Sequence, residues 1–102
     1  MILDIRSTQE YAEGHIEGAV LVPTPRPPLS LLQRATLRAR LESVTATLPR
    51  GSTVAVYCKK GVRSALAASM LRAMGYDVVD WGGIEGTLLP ALVARGEVSW
   101  SG

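Results

Sequence analysis

The chain has 102 residues, 47% of them apolar and 20% charged, and its net charge is +2. That length supplies one hydrophobic core and no second one, so a single domain over residues 1–102 is expected, and the composition is that of a folded globular chain rather than a disordered one. No apolar run approaches the roughly 20 residues of a spanning helix, no tripartite leader pattern is present, and the basic residues form no long stripe interleaved with aromatics. A cytoplasmic monomer without membrane or nucleic-acid partners is therefore expected. The single cysteine rules out an internal disulfide and a cysteine-rich metal site, which leaves its thiol free for chemistry. No metal and no cofactor are expected.

Met1–Arg6 predicts a strand that starts almost at the first residue. Ser7-Thr8-Gln9-Glu10 follows with the spacing of a capping box, so a short helix is predicted over Thr8–Glu13. Gly14-His15-Ile16-Glu17-Gly18 then punctuates the chain, and Ala19–Val22 predicts a second short strand ending at Pro23. His15 is the only histidine and is tempting as a general base. Its place among glycines assigns it instead to fixing the turn by hydrogen bonds to nearby backbone. Asp4, Arg6 and Glu10 form a charge cluster at the strand end, read as structural.

Pro23-Thr24-Pro25-Arg26-Pro27-Pro28 is the one biased segment, and it predicts a stiff extended connection. Leu37, Leu41, Val44 and Leu48, spaced by four, three and four, predict a helix that stops at Pro49-Arg50-Gly51. Arg34, Arg38 and Arg40 are its solvated side.

The stretch that carries chemistry is Thr53–Ser64. A β-branched apolar run, Thr53-Val54-Ala55-Val56-Tyr57, ends in Cys58, passes through Lys59-Lys60-Gly61, and opens at Val62-Arg63-Ser64 into an Ala/Leu/Met-rich helical pattern. Lys59 and Lys60 are the only lysines in the chain. Amide groups in such a loop and in the first helical turn lack intrahelical acceptors, and the helix dipole adds positive potential, so the loop's concavity favours an anion. A thiol placed there gives up its proton readily, which makes Cys58 an expected nucleophile at neutral pH. Gly61 supplies the residue without Cβ that an inward-curling loop requires. The plainer alternative, a small buried hydrophobe at a strand end, leaves the basic loop unexplained.

Downstream, Ser64–Met74 predicts a helix rich in small residues, with Gly75 after its end. Tyr76–Trp81 predicts a strand closed by Gly82-Gly83, and Leu88–Arg95 a last helix with Pro90 confined to its first turn. Val98-Ser99-Trp100 adds a short terminal strand. Alternation of this kind predicts an α/β fold with a small, mostly parallel sheet of about four to five strands and helices on both faces. Cys58 then stands at the carboxyl end of a strand, where such sheets bind ligands.

In these pieces the chain resembles the single-domain rhodanese-like sulfurtransferases. The resemblance is carried by Leu3-Asp4-Ile5-Arg6 with Glu10-Tyr11, by Gly14-His15-Ile16-Glu17-Gly18-Ala19, and by Val56-Tyr57-Cys58 with Gly61 and Arg63-Ser64. Gly75-Tyr76, Val78-Val79 and Gly82-Gly83 complete it. It implies that Cys58 attacks the outer sulfur of a donor such as thiosulfate, holds that sulfur as a persulfide, and passes it to a thiophilic acceptor such as cyanide, a small thiol or a protein. Loop amides from Lys59, Lys60, Gly61, Val62 and Arg63 would cradle the persulfide and the donor's oxygens, and Lys59, Lys60 and Arg63 would attract the small anionic donor. Two departures stand out. Family members usually carry another strand and helix before the point where this chain starts, and Thr87 replaces a tryptophan often found after the double glycine.

Two other functions compete. Related folds whose loop is one residue longer act on phosphate or arsenate, but here four residues separate Cys58 from Arg63. A non-catalytic binding module would have no use for the cysteine and its basic loop together.

Overall fold

The computed structural model describes residues 1–102. In chain order the elements are β1 (Ile2–Asp4), α1 (Thr8–Glu13), β2 (His15–Ile16), β3 (Val20–Leu21), α2 (Leu31–Val44), β4 (Thr53–Cys58), α3 (Val62–Ala73), β5 (Asp77–Gly83), α4 (Leu88–Ala94) and β6 (Trp100–Ser101). Four strands form one sheet in the order β3-β1-β4-β5, and every pairing in it is parallel. The expected α/β architecture is therefore present, with β4 inside the sheet.

Alternation along β4 divides the core. Val54, Val56 and Cys58 face a cluster that includes Leu37 and Leu41 of α2 and Ala67, Ala68 and Leu71 of α3. Tyr57 faces the other side, where Ile16, Ala19 and α4's Leu89 and Leu92 gather. Successive residues of a strand point to opposite faces, so helices cover both. Small residues on α3 allow close approach to the sheet. No helix is long and apolar enough to cross a membrane.

The sequence reading differs from the structure in several places, the terminal strand expected over Val98–Trp100 among them, which is found at Trp100–Ser101. His15–Ile16 is not merely a turn: it pairs antiparallel with Trp100–Ser101 in a separate two-stranded sheet. The helix expected to run on to Leu48 ends at Val44, although Leu48 still packs against the core. At its other end α2 starts from a capping box, with Ser30 accepting from the Gln33 amide and Gln33 from the Ser30 amide. Finally, α3 begins two residues earlier than expected, at Val62, and β5 runs through both glycines.

The charge cluster at the end of β1 is a buried network. Asp4 takes a bidentate contact from Arg6 and a 2.6 Å hydrogen bond from the Tyr57 hydroxyl, which in turn accepts from the Ile16 amide. Burial and the bond to Asp4 push the Tyr57 phenol above its ordinary range. Arg6 also donates to the Gly14 carbonyl, so β1, β4 and the start of β2 are tied through three side chains. Tyr57→Phe strips a donor from Asp4 and an acceptor from Ile16 in a dry site. A loss of about 1–3 kcal/mol in chemical denaturation is expected; a loss below about 0.5 kcal/mol would mean that water replaces the hydroxyl.

Candidate active site

Cys58 ends β4, and the chain from Lys59 to Gly61 turns straight into α3. The turn is possible because Gly61 sits at φ 102°, a left-handed conformation that glycine adopts without a Cβ penalty. As N-cap of α3, Gly61 offers no side chain to satisfy the helix's first amides. The cysteine supplies the acceptor instead: Sγ takes hydrogen bonds from the Gly61 amide at 3.0 Å and the Ser64 amide at 3.3 Å. Its sulfur thus occupies the position that a serine or aspartate oxygen fills at an ordinary helix start. Negative charge on that sulfur is met by two N–H dipoles and the positive end of a 12-residue helix.

The loop is held from beneath. Ile84 and Glu85 donate their amides to the carbonyls of Cys58 and Lys59. The buried Ser64 hydroxyl reaches the carbonyls of Gly61 and Gly82. Gly83 lies so close under the turn that a Cβ there would meet the Lys59 carbonyl and stand 2.6 Å from Lys60 Cα. Gly83→Ala should therefore lift the loop and cut turnover roughly 10²-fold, as small misplacements of a reacting group do, with secondary structure by circular dichroism retained. Full activity in this variant would show that the loop tolerates displacement.

Above Sγ opens a cavity of about 180 Å³ lined by Arg26, Pro27, Cys58, Lys59, Lys60, Val62 and Arg63. Pockets for drug-sized ligands run to about 300–1,000 Å³, so this one suits a small anion. Cys58 is only 1% exposed and lies at the floor. Of the cations in the lining, Lys59 makes a long, half-exposed ion pair with Glu85 at 3.7 Å, which leaves most of its charge available. Lys60 has no carboxylate partner.

All the loop residues expected from the sequence, Lys59, Lys60, Gly61, Val62 and Arg63, surround the cysteine, but Arg63 plays a different part from the two lysines. Its guanidinium is 3% exposed and grips both carboxylate oxygens of Glu10, at 2.7 and 3.1 Å, with a further contact to the Thr24 carbonyl. The pair holds the Glu10 carboxyl down to about 2, the hydrogen bond from Arg63 being the main cause and burial opposing it. Ser7 contributes through the capping box that starts α1. Arg63 thus braces the loop from α1. Glu10 belongs to this brace rather than to the Asp4–Arg6 cluster. His15 lies in the structural role expected of it, with Nδ1 against the Tyr11 carbonyl and its ring stacked on Tyr11 at 3.7 Å.

Arg26 was missed by sequence reasoning. It comes from the proline-rich segment, which lines the same cavity, and its only local signal is being the one charged residue among four prolines.

Comparison with known proteins agrees with this geometry. The Rhodanese-like domain family matches residues 1–86. The chain belongs to this family. Its rhodanese-like relatives include the thiosulfate sulfurtransferase PspE of Escherichia coli, 29% identical, with 86% of this chain aligned to 74% of that protein. Thiosulfate sulfurtransferase 18 of Arabidopsis thaliana is 34% identical over 76% of this chain. The chain spans only 57% of that plant protein's length. Among solved structures, the rhodanese-like domain of the Alr3790 protein from Anabaena superposes with a TM-score of 0.66 at 24% identity, covering 99% of this chain and 85% of that one. SSP1007 from Staphylococcus saprophyticus gives 0.59 at 28% identity over 80% and 68%.

Proposed function

We propose that this rhodanese-like domain is a sulfurtransferase that carries sulfane sulfur from thiosulfate, or a similar small anionic donor, to a thiophilic acceptor through a persulfide on Cys58. The observation that carries this reading is the Cys58 sulfur itself, set at the floor of a small cationic cavity and hydrogen-bonded by the Gly61 and Ser64 amides. The names of the bacterial and plant relatives support the donor class.

The chemistry follows in two displacements. The Cys58 thiolate attacks the outer sulfur of thiosulfate; a sulfur–sulfur bond forms to Sγ, the donor's own sulfur–sulfur bond breaks, and its electron pair leaves with sulfite. Cyanide or a thiolate then attacks the terminal sulfur and returns the electron pair to Sγ, restoring the thiolate. No oxidant or reductant is needed. Amides already aimed at the loop's centre stabilise each anionic sulfur without reorganising. Engagement of Arg63 by Glu10 withholds the loop's own arginine from clamping a phosphoryl group, and this favours sulfur over phosphate chemistry.

An intact mass spectrum tests the reading. Incubation with thiosulfate should add one sulfur, roughly 32 Da, and cyanide should remove it. If no adduct forms with any sulfane donor, the chain is a binding module. Lys59→Ala combined with Lys60→Ala should raise the thiosulfate KM about three- to tenfold with kcat little changed, since the lysines attract the donor in ground and transition states alike. An unchanged KM would make them bystanders.

A further inference from the structure

Proposed sulfur transfer leaves one cation of the cavity without a task, and we infer that Arg26 is the residue that makes the site selective for donors whose leaving group is dianionic. This deepens the sulfurtransferase reading and depends on it.

Displacement at sulfur proceeds with the attacking and departing atoms in line. The cysteine sulfur is fixed at the cavity floor by the Gly61 and Ser64 amides. One sulfur–sulfur bond of about 2.05 Å separates the attacked sulfur from the sulfonate, so with that sulfur against Sγ the sulfonate of a bound thiosulfate lies more than about 4 Å out from Sγ, toward the mouth. Amides that cap Sγ stand behind that group. The cavity into which it projects is lined by Arg26 and Pro27 as well as by Lys59 and Lys60. As the donor bond breaks, the departing sulfite takes up the electron pair on this side, and a guanidinium can match two of its oxygens at once.

Arg26 is exposed, as many solvated arginines are, yet its segment is fastened at both ends. Thr24 is 2% exposed; its amide donates to the Arg6 carbonyl, its hydroxyl to the Val22 carbonyl, and its own carbonyl accepts from Arg63, the residue that braces the cysteine loop. Arg40 donates to the Pro23 carbonyl. Beyond Arg26 the chain enters the Ser30–Gln33 cap of α2. Between these anchors, Pro25, Pro27 and Pro28 each have φ locked by the ring, so little backbone freedom remains to be lost on binding. Arg26 takes part in none of the chain's four ion pairs. The two segments that line the cavity are thus linked through Arg63, and the cation on the proline-rich one has no ion-pair partner.

The test compares two donors. Thiosulfate releases dianionic sulfite, whereas methanethiosulfonate presents the same attackable sulfur and releases a monoanionic sulfinate. With cyanide as acceptor, Arg26→Ala should lower kcat/KM about tenfold for thiosulfate and no more than about threefold for methanethiosulfonate, and Arg26→Lys should restore part of the preference. Equal losses with both donors, or no loss with either, would overturn the assignment to Arg26 while leaving sulfur transfer standing. Should the wild-type protein accept sulfur from neither donor, both the inference and the sulfurtransferase reading fall.

Discussion

Cys58→Ser is expected to reduce sulfur transfer to the uncatalysed rate while the protein remains folded. A hydroxyl cannot carry a sulfane sulfur as a persulfide, so no second route survives through the same loop. The fold should persist because the serine oxygen still accepts from the amides at the start of α3, being among the favoured side chains for that duty. Its destabilisation should stay near 1 kcal/mol, the lost packing of one sulfur in the core face of β4. Mass spectrometry after thiosulfate and a denaturation curve check the two halves. A sulfur adduct on the serine variant would assign the chemistry elsewhere, and a collapsed fold would leave the loss of activity without meaning.

Breaking the brace between α1 and α3 should have the largest effect on stability. Arg63→Ala leaves the Glu10 carboxylate buried without its main partner, a change that costs about 3–5 kcal/mol in other buried pairs. Against a total of about 5–15 kcal/mol for a domain, this takes a large share, and for a domain of this size it lowers Tm by more than about 10 °C. Activity should fall as well, because the loop and the proline-rich wall both hang on Arg63. Glu10→Gln keeps the shape and one acceptor, and it should be milder. A Tm within about 2 °C of the wild type for Arg63→Ala would show that the pair is replaced by water at little cost.

The same pair predicts a response to acid. The Glu10 carboxyl is held near 2 in the folded protein against an ordinary 4.5, so the folded state binds fewer protons than the unfolded one across that interval. Its stabilisation is complete above the unfolded value and is lost as pH falls from about 5 toward 2. The difference corresponds to about 3 kcal/mol. Unfolding free energies measured across that range should slope downward with acid in the wild type and less steeply in Glu10→Gln. Parallel slopes would remove Glu10 from the account.

What the sequence showed plainly was local. The Ser7–Glu10 capping box, the Thr8–Glu13 helix and the Cys58–Gly61 turn are each specified by neighbours within a few residues, and each stands where expected. The Ser30–Gln33 cap has the same spacing as the first one, yet Leu31 and Leu32 point into solvent, 86% and 77% exposed, and blur the apolar stripe that would have announced the helix. The pairing of His15–Ile16 with Trp100–Ser101 joins two-residue strands, too short to show a period. Glu10 and Arg63 lie 53 positions apart. Nothing local links them, and so a residue expected among the donor's attractants is found buried as a strut. Arg26 reached the site in the same way, through a tertiary contact that no spacing encodes.

One consequence of the sulfur's position at the head of α3 concerns how reactivity and folding share an atom. Each time the cysteine is loaded, alkylated or oxidised, the acceptor of the Gly61 and Ser64 amides changes size and charge, and the first turn of the helix must adjust around it. Chemistry at this thiol is therefore written directly into the exchange protection of those two amides, which makes them an internal gauge of the state of that sulfur.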